Sequence, residues 1–348
     1  VCNFIGLARA TGDQRYRELA LRLVDQVHHT LGRHRADDRR RGWISGLGEH
    51  EGEAHPTRGG LRIGKPLPER GVGEPLDREL EWQRDGQYFH YLSKWMLALD
   101  QLARATREPR FNRWARELDV AAAEAFVSKP AAPGQPPRMA WKMSIDLSRP
   151  LVASMGQHDP LDGYLTSLQL RATMEGLGGQ GGDAALAEAA GLYGLLARQG
   201  DWASADPLGL GGLLIDAYRV QQLVAQGADA DPRLLEKLLA AALAGLEHYA
   251  RSGELRLPAS QRLAFRELGL AIGLHAVARL LQQAEEPGLR GRLQPLRRYL
   301  PLREQIEAFW RDAENRRAAS WEEHRDINAV MLATALAPEG LLELPPLR

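Results

Sequence analysis

The chain has 348 residues, and its 45 Lys and Arg side chains balance 45 Asp and Glu side chains, so the formal net charge is zero. This length is enough for a sizeable core. A nucleic-acid-binding protein would need a clustered basic excess, so the balanced charge argues against that class. The single cysteine, Cys2, excludes an intramolecular disulfide framework and a multi-cysteine zinc site. No apolar run approaches the roughly 20 residues of a membrane helix. We therefore expect a soluble protein with no membrane partner and a cytoplasmic location.

An internal repeat begins near the start of the chain. Residues 7–20 read LARATGDQRYRELA and residues 102–115 read LARATREPRFNRWA, an offset of 95 (102 minus 7). In both copies a helix ends, a short polar turn follows and a second helix begins, so the unit is a helical hairpin followed by a long connection. The alignment sets Val1 against Met96. The sequence is therefore expected to begin inside an inner helix, with residues missing before it, and a signal peptide is compatible with that start.

The stretch from Glu81 to Thr106, EWQRDGQYFHYLSKWMLALDQLARAT, predicts an apolar inner helix. Asp85, before Gly86, is placed to cap its first turn. The polar side chains Gln87, His90 and Lys94 fall at i, i+3 and i+7. They predict one polar line along the helix, facing a cavity.

Helices are predicted along most of the remaining chain. The predicted ranges are 1–11, 14–35, 111–126, 160–175, 183–199, 207–226, 232–250, 260–284, 293–316 and 321–336. Asp159, Asp206 and Asp231 each precede a proline, which predicts three capped helix starts. Ser320 and Glu323 form the pattern of a capping box for the last helix.

The connections carry the strand signals. Residues 36–80 are rich in Gly, Pro and charge, and their GWISGL and GGLRIG pieces are compatible with strands. A proline-rich turn is predicted at Lys129–Pro137, a short strand at 141–146 and none beyond residue 150. Together these patterns predict an all-α, (α/α)6-toroid-like array of helical hairpins as a single domain over 1–348, with long loops and short β-hairpins at one end. Its site is expected where the 36–80 and 129–158 loops meet.

A family resemblance rests on the repeated hairpin, the long loops and the W-x-R-x-G pattern of Trp82, Arg84 and Gly86. The chain resembles the six-hairpin glycosidase superfamily of (α/α)6 barrels. The resemblance implies a toroid of about 12 helices that acts on carbohydrate. Unsaturated glucuronyl hydrolases of that superfamily have a W-x-R-G-x-G-W-like stretch. Here Asp85 stands in place of its Gly and Tyr88 in place of its Trp, a departure that bears on the exact activity.

Carboxyl groups at the predicted inner-helix starts are the candidate catalytic groups. Glycoside cleavage needs one protonated carboxyl group to assist the leaving group and one ionised carboxylate. The first cluster is Glu81 and Asp85, and the second is His158, Asp159 and Asp162. Structural alternatives exist for both clusters: Asp85 and Asp159 as helix caps, and Glu81 as an ion-pair partner of Arg84.

Aromatic and charged side chains near these clusters are the candidate substrate-binding groups, because sugars stack on aromatic rings and anionic sugars need cations. They are Trp82, Arg84, Tyr88, His90, Trp141, Lys142, Arg62, Lys65 and His324. His324 shares a stripe with Ile327 and Met331 and is expected to point inward.

Two further patterns carry little weight. GLGGQG at 176–181 follows a helix and not a strand, so it predicts a connection and not a pyrophosphate cradle. His50, Glu53 and His55 lie in loop spacing that does not fix a metal site. We therefore expect neither a metal nor a cofactor.

The sequence thus favours a glycoside hydrolase that acts on a small-molecule or oligosaccharide substrate. One alternative is a sugar epimerase or isomerase, in which His90, His158, His275 or His324 would move a proton. N-acylglucosamine 2-epimerases share the barrel and use paired histidines on late inner helices, for which His275 and His324 are the candidates. The other alternative is a non-catalytic carbohydrate-binding or scaffold protein.

Overall fold

Helices make up most of the structure. The computed structural model describes residues 1–128, 137–154, 156–179 and 182–347. Most of the predicted proline-rich turn, 129–136, lies outside these ranges, as do the last two residues of GLGGQG. Among the described residues the chain is all-α with a few strands of two or three residues, as the helical periodicity predicts.

The described residues form two compact units. Unit 1 comprises Val1–Ala8, Asp13–Gly200 and the residues from Pro345, and unit 2 comprises Arg9–Gly12 and Asp201–Leu344. The helices before residue 200 are α1 (Cys2–Thr11), α2 (Gln14–Leu31), α3 (Glu49–Ala54), α4 (Arg78–Glu81), α5 (Phe89–Thr106), α6 (Pro109–Phe126), α7 (Asp159–Gly176) and α8 (Ala184–Ala197). The later helices are α9 (Pro207–Ala225), α10 (Pro232–Ser252), α11 (Ala264–Gln283), α12 (Pro287–Arg297), α13 (Leu300–Arg311), α14 (Ala319–Glu322), α15 (Arg325–Leu336) and α16 (Glu339–Leu342).

Short strands in unit 1 fasten the loops to the start of α5. They are β1 (Gln87–Tyr88), β2 (Val127–Ser128), β3 (Arg138–Met139), β4 (Lys142–Met143) and β5 (Pro150–Val152). β1, β4 and β5 form an antiparallel sheet in that order, in which Tyr88 lies opposite Lys142 and Lys142 opposite Val152. The strand predicted at 141–146 is confirmed. The prediction of no strand beyond residue 150 is wrong, because β5 uses β4 as its hydrogen-bonding partner.

The central helix α5 begins later than the sequence predicted. Tyr88 is its N-cap residue, without a side-chain cap, so the prediction that Asp85 caps this helix is wrong. Gln87 precedes the helix and is fully buried. Its amide donates to the Ile145 carbonyl at 2.7 Å and accepts from the Leu61 N–H at 2.8 Å. Gln87 therefore fixes two loops and does not belong to a polar line on α5.

The two copies of the repeat have the same turn between their helices. Gly12, after α1, has φ 71°, and Arg107, after α5, has φ 57°, so both are in the left-handed region at corresponding positions (12 plus 95). Asp13 then caps α2 by accepting from the Arg15 N–H. A left-handed residue commonly ends a helix. The residue in this conformation is a glycine in the first copy and an arginine in the second copy.

Two of the three predicted Asp-Pro caps are confirmed. Asp206 accepts from the Gly209 N–H at 3.0 Å, and Asp231 accepts from the Arg233 N–H at 2.9 Å. Asp159 does not cap, because α7 begins at Asp159 itself and its N-cap residue is His158. Its carboxyl group is therefore not accounted for by capping.

Two predicted late helices are each divided in two. The range 293–316 contains α12 and α13, which separate at Arg298–Tyr299, because Pro301 lacks the N–H that would continue a helix. The range 321–336 contains α14 and α15. The predicted capping box is wrong, since the Ser320 hydroxyl donates to the Ala259 carbonyl at 2.6 Å.

Glycines bring two helices of unit 2 into close contact. A Cβ on Gly211 of α9 would lie 2.1 Å from the carbonyl oxygen of Gly269 on α11, and one on Gly273 would lie 2.7 Å from the Gly211 Cα. The backbones of α9 and α11 therefore touch directly, without side chains between them.

Candidate functional site

The starts of α5 and α7 are joined by hydrogen bonds to one carboxylate. Asp162, in the first turn of α7, accepts from the Ser93 hydroxyl at 2.5 Å and from Lys94 Nζ at 2.7 Å, both on α5. Asp162 is 6% exposed, whereas the Lys94 side chain is largely exposed. Asp162 on α7 is therefore held by two side chains of α5. The exposed Lys94 side chain lies at the solvent side of this contact.

Asp159, one turn before Asp162, has the properties of a general acid. It is buried, and its Oδ2 has no hydrogen-bond partner among the described residues. Burial, and then the neighbouring charge of Asp162, raise the pKa of Asp159 to about 6, against the opposing effects of Lys94 and the Gly156 N–H. A carboxyl group with this pKa is partly protonated near neutral pH, as proton donation to a leaving group requires.

An aromatic patch borders the carboxyl groups. It consists of Trp82, Tyr88, His90, Tyr91 and Trp141. The centroids of the Trp82 and Trp141 rings are 5.0 Å apart, and those of Tyr88 and Trp141 are 5.1 Å apart. Tyr88 forms the buried base, whereas Trp82 and Tyr91 are about half exposed. The patch offers ring faces and edges to solvent, the kind of surface on which sugars stack.

His90 connects the aromatic patch to the carboxyl groups. Its ring centroid lies 4.2 Å from that of Tyr91. Burial and the Lys94 charge lower the pKa of His90 to about 4, against the smaller opposing effect of Asp162. The imidazole is therefore neutral at pH 7 and able to accept a hydrogen bond.

Glu81 lies beneath the patch in a buried ion-pair cluster. Its Oε1 accepts from Lys142 Nζ at 2.7 Å, and its Oε2 accepts from Arg70 Nε at 3.0 Å. Lys142 Nζ also donates to the carbonyls of Glu81 and Arg84, both at 2.9 Å. The structural alternative for Glu81, an ion pair with Arg84, is therefore wrong. All three protons of Lys142 are in hydrogen bonds, so this cluster holds the loop and leaves no free donor for a ligand.

Asp85 organises the 57–67 part of the long loop. Its Oδ2 accepts from Arg62 Nη1 at 2.9 Å and lies 3.5 Å from Arg35 Nη1. Its Oδ1 accepts from the backbone N–H groups of Gly64 and Gly86 at 2.8 and 3.0 Å. Asp85 is fully buried, so these contacts assign a structural role to Asp85 and Arg62.

Two other predicted binding residues lie in the loops. Arg84 forms an ion pair with Glu74. The Lys65 side chain is half-buried, and its charge contributes to lowering the pKa of Lys142, so it lies near the buried cluster.

The two late histidines of the epimerase alternative, His275 and His324, do not form a pair within unit 2. His158, half-buried, precedes α7 in unit 1. In unit 2, His275 lies on α11 with its Nε2 2.7 Å from Glu307, whereas His324 lies near Phe265 at the other end of that helix. Ten residues of helix separate Phe265 from His275, which corresponds to about 15 Å. His324 is also exposed, so the prediction that it points inward is wrong.

A further buried carboxyl group, that of Asp119 on α6, packs against α7. Asp119 is fully buried, and its Oδ2 accepts from the Ser167 hydroxyl at 2.6 Å. The Tyr193 hydroxyl donates to the Asp119 carbonyl at 3.4 Å. The Tyr193 ring lies against Gly163, which shares a face of α7 with Asp159 and Ser167 at intervals of four residues. Burial raises the pKa of Asp119 to about 7.

Several site residues were not among the predicted ones. Ser93, Lys94 and Tyr91 belong to the predicted central helix, and Lys94 was expected only as part of its cavity-facing polar line, four residues after His90. That i, i+4 spacing was the available signal, because it places two side chains on one helix face. No local pattern indicated Arg70, which reaches Glu81 from the loop.

Comparisons with known proteins give no relative. No group of three or more potential metal ligands is close enough to hold a metal, and no helix is long and apolar enough to cross a membrane, among the residues that the structure describes. No protein-family model, no curated protein and no solved structure matches the chain.

Proposed function

We propose that this protein is a carbohydrate-active enzyme, a glycoside hydrolase built on an (α/α)6-toroid-like scaffold. Its site is the region where the carboxyl groups of Asp159 and Asp162 meet the aromatic patch. The observation that carries the proposal is the pair itself: a buried carboxyl group with a pKa raised to about 6, one helical turn from a carboxylate that Lys94 and Ser93 hold.

The two carboxyl groups have different surroundings and therefore take different roles. Asp159 is the general acid that protonates the leaving oxygen, because its proton is retained up to about pH 6. Asp162, with Lys94 Nζ at 2.7 Å, is the second carboxylate, which stabilises or attacks the anomeric carbon. Side chains at i and i+3 of a helix have Cβ atoms about 5–6 Å apart. Retaining glycosidases have carboxyl groups about 5–5.5 Å apart, and we propose that this closely spaced pair works with retention of configuration.

The aromatic patch supports the carbohydrate part of the proposal. Trp82 is 51% exposed and Tyr91 is 45% exposed, although both are large rings that would gain from burial. A sugar ring covering them would remove apolar surface from water while its hydroxyl groups stay hydrated or reach Lys94 and His90. The glycosidic oxygen would then lie near the start of α7.

The test uses a panel of neutral and uronic glycosides of both anomeric configurations, with alkyl and dinitrophenyl leaving groups. We expect hydrolysis of at least one member. Asp162→Asn should lower kcat about 1,000-fold or more for every leaving group. Asp159→Asn should lower kcat strongly for alkyl glycosides and only slightly for dinitrophenyl glycosides, which do not need protonation. Glu18→Gln, an exposed carboxylate on α2, is the matched control and should leave kcat unchanged.

Three outcomes would overturn the proposal. The first is hydrolysis that is unaffected by both Asp159→Asn and Asp162→Asn. The second is saturable sugar binding without turnover of any panel member, which would indicate a non-catalytic binding protein. The third is incorporation of solvent deuterium at a sugar carbon without hydrolysis, which would indicate an epimerase or isomerase.

A further inference from the structure

A cavity in unit 1 is lined by residues outside the proposed site. It has a volume of about 320 Å³ and is lined by α2, by α6 and by the loop residues around α3. Its walls include the aromatic rings of Trp43, Phe111 and Trp114. The Phe111 and Trp114 centroids are 5.4 Å apart in an edge-to-face arrangement. This volume suits a ligand with a single ring, at the small end of ordinary ligand pockets.

His28 presents an unused N–H group to this cavity. It is 3% exposed and lines the cavity. Its Nε2 lies 3.1 Å from the Trp95 indole nitrogen, which can only donate, so Nε2 is the acceptor. Burial lowers the pKa of His28 to about 3, so the ring is neutral and its one proton is on Nδ1. No described residue accepts a hydrogen bond from that N–H.

Trp43 supplies a second unused N–H group. It is 2% exposed, and its Nε1 has no hydrogen-bond partner among the described residues. Gly52 lies against its pyrrole ring, where a Cβ would come within 2.4 Å of three ring atoms, and the Arg33 guanidinium carbon is 4.4 Å from the ring centroid. The ring is therefore held in place. A buried indole N–H without an acceptor is costly, and an acceptor from a ligand would remove that cost.

The acceptors around the cavity, by contrast, are engaged. Glu53 Oε1 lies 2.7 Å from His29 Nε2, and Asp25 Oδ1 lies 3.3 Å from His29 Nδ1. The hydrogen bond to the Asp25 backbone and the two carboxylates raise the pKa of His29. Arg22, which also lines the cavity, is exposed and has no ion-pair partner in the described part of the chain. The buried polar groups left for a ligand, those of His28 and Trp43, are thus donors, whereas the Asp25 and Glu53 side chains are exposed to water.

We propose that this cavity binds a small organic carboxylate with a flat apolar body, whose oxygens accept from His28 Nδ1–H and Trp43 Nε1–H. The flat body packs against Phe111 and Trp114, and Arg22 supplies positive charge at the mouth. A cationic ligand would leave both buried N–H groups without acceptors. A neutral ligand of the same shape would lose the stronger, charge-assisted bonds. The inference does not depend on the hydrolase proposal.

The experiment titrates the intact chain with benzoate and follows the indole N–H signals in proton–nitrogen correlation spectra. Trp43→Phe and Trp82→Phe assign the two informative signals, one in this cavity and one in the aromatic patch. Benzyl alcohol and benzylamine are the neutral and cationic controls of matched shape. We expect benzoate to shift the Trp43 signal saturably, without shifting the Trp82 signal, and to bind at least about fivefold more tightly than either control.

Two variants locate the contact. His28→Phe keeps an aromatic ring at this position but removes the N–H group. It should weaken benzoate binding about tenfold, the loss expected for one hydrogen bond to a charged group. That variant also loses the hydrogen bond from Trp95 to His28, so a second variant is needed that leaves the buried residues unchanged. Arg22→Gln changes only an exposed side chain and should weaken benzoate binding about two- to fivefold. The proposal is overturned if benzylamine binds as well as benzoate, if the Trp43 signal does not move, or if Arg22→Gln and a folded His28→Phe both bind benzoate like the unmodified protein.

Discussion

Lys142 Nζ donates to Glu81 Oε1 at 2.7 Å, and both side chains are buried beneath the start of α5. Burial lowers the pKa of Lys142, and the bond to Glu81 opposes that effect. The cluster joins three parts of the chain: Arg70, the segment from Glu81 to Arg84, and Lys142. A buried pair of this kind is expected to matter most when only one partner is removed.

Glu81→Gln should therefore destabilise unit 1 by about 3–5 kcal/mol, because the Lys142 ammonium stays buried without a counter-charge. The double variant Glu81→Gln with Lys142→Met should recover much of that loss, since no buried charge is left unpaired at position 142. Urea unfolding of the two single variants and the double variant measures the coupling free energy. Strictly additive effects would contradict this assignment.

The pH dependence of stability should reveal Asp119. Its pKa of about 7 in the folded protein is above the ordinary aspartic acid value of 3.8, so its stabilising contribution is complete below pH 3.8 and is lost as pH rises through 7. The expected loss by pH 8 is roughly 4 kcal/mol. Asp119→Asn keeps an oxygen that can accept the hydrogen bond from the Ser167 hydroxyl, and it removes the titrating carboxyl group.

The unfolding free energy of Asp119→Asn relative to the unmodified protein should thus rise by several kcal/mol between pH 4 and pH 8. Urea unfolding at pH 4, 6 and 8 measures that difference. Ser167→Ala is a useful companion, because it removes the hydroxyl that lowers the pKa of Asp119 and should move the transition to higher pH. A difference that does not vary with pH would show that Asp119 does not titrate in this range.

Adjacent glycines of α9 should respond in opposite directions to the same substitution. A Cβ at Gly211 would lie 2.1 Å from the backbone oxygen of Gly269, so Gly211→Ala forces α9 and α11 apart and should cost about 1–3 kcal/mol or more. Gly212 has nothing within 4 Å of such a Cβ, and Gly212→Ala should stabilise by up to about 1 kcal/mol through helix propensity. Thermal unfolding of the pair checks the prediction, which is refuted if both changes have the same sign.

Removal of the Asp85 carboxylate should release the 57–67 part of the loop. Asp85→Ala leaves Arg62 and the Gly64 N–H without their acceptor, at a cost of about 3–5 kcal/mol. Glu74→Ala breaks the more exposed pair with Arg84 and should destabilise the protein much less than Asp85→Ala does. Limited proteolysis should cleave near Arg62 faster in Asp85→Ala than in Glu74→Ala. Equal cleavage rates would argue against the structural role of Asp85.

The helices could be predicted from sequence because their signals are local. Asp206 and Asp231 cap as expected, since the acceptor and the N–H lie within three residues of each other. The break at Arg298–Tyr299 was missed because the apolar periodicity continues through it, although Pro301 marked the restart of a helix.

The site was only partly predictable, because its groups come from distant segments. Trp82, Tyr88 and His90 near the predicted helix start form one patch with Trp141, which was expected in a loop at the rim. Sequence alone did not separate Asp85 from Asp159, since both carboxyl groups stand near a helix start. Partners far away in the chain make the difference: Arg62 and Arg35 bind Asp85, whereas Asp159 Oδ2 has no partner among the described residues.

The buried polar network at the α5–α6–α7 contact has a consequence for a chain with repeated hairpins. Asp100 accepts from Asn112 Nδ2 at 3.0 Å and from Gln169 Nε2 at 2.7 Å, bonds that tie α5 to α6 and α7. In the first copy of the repeat the positions of Asp100 and Asn112 are held by Ile5 and Arg17. Exchange of the first hairpin for the second during folding would bury the Asp100 carboxylate among apolar side chains, or set Ile5 against Gln169. The network therefore discriminates between two similar segments, and it penalises the domain-swapped and misregistered assemblies to which repeated sequences are prone.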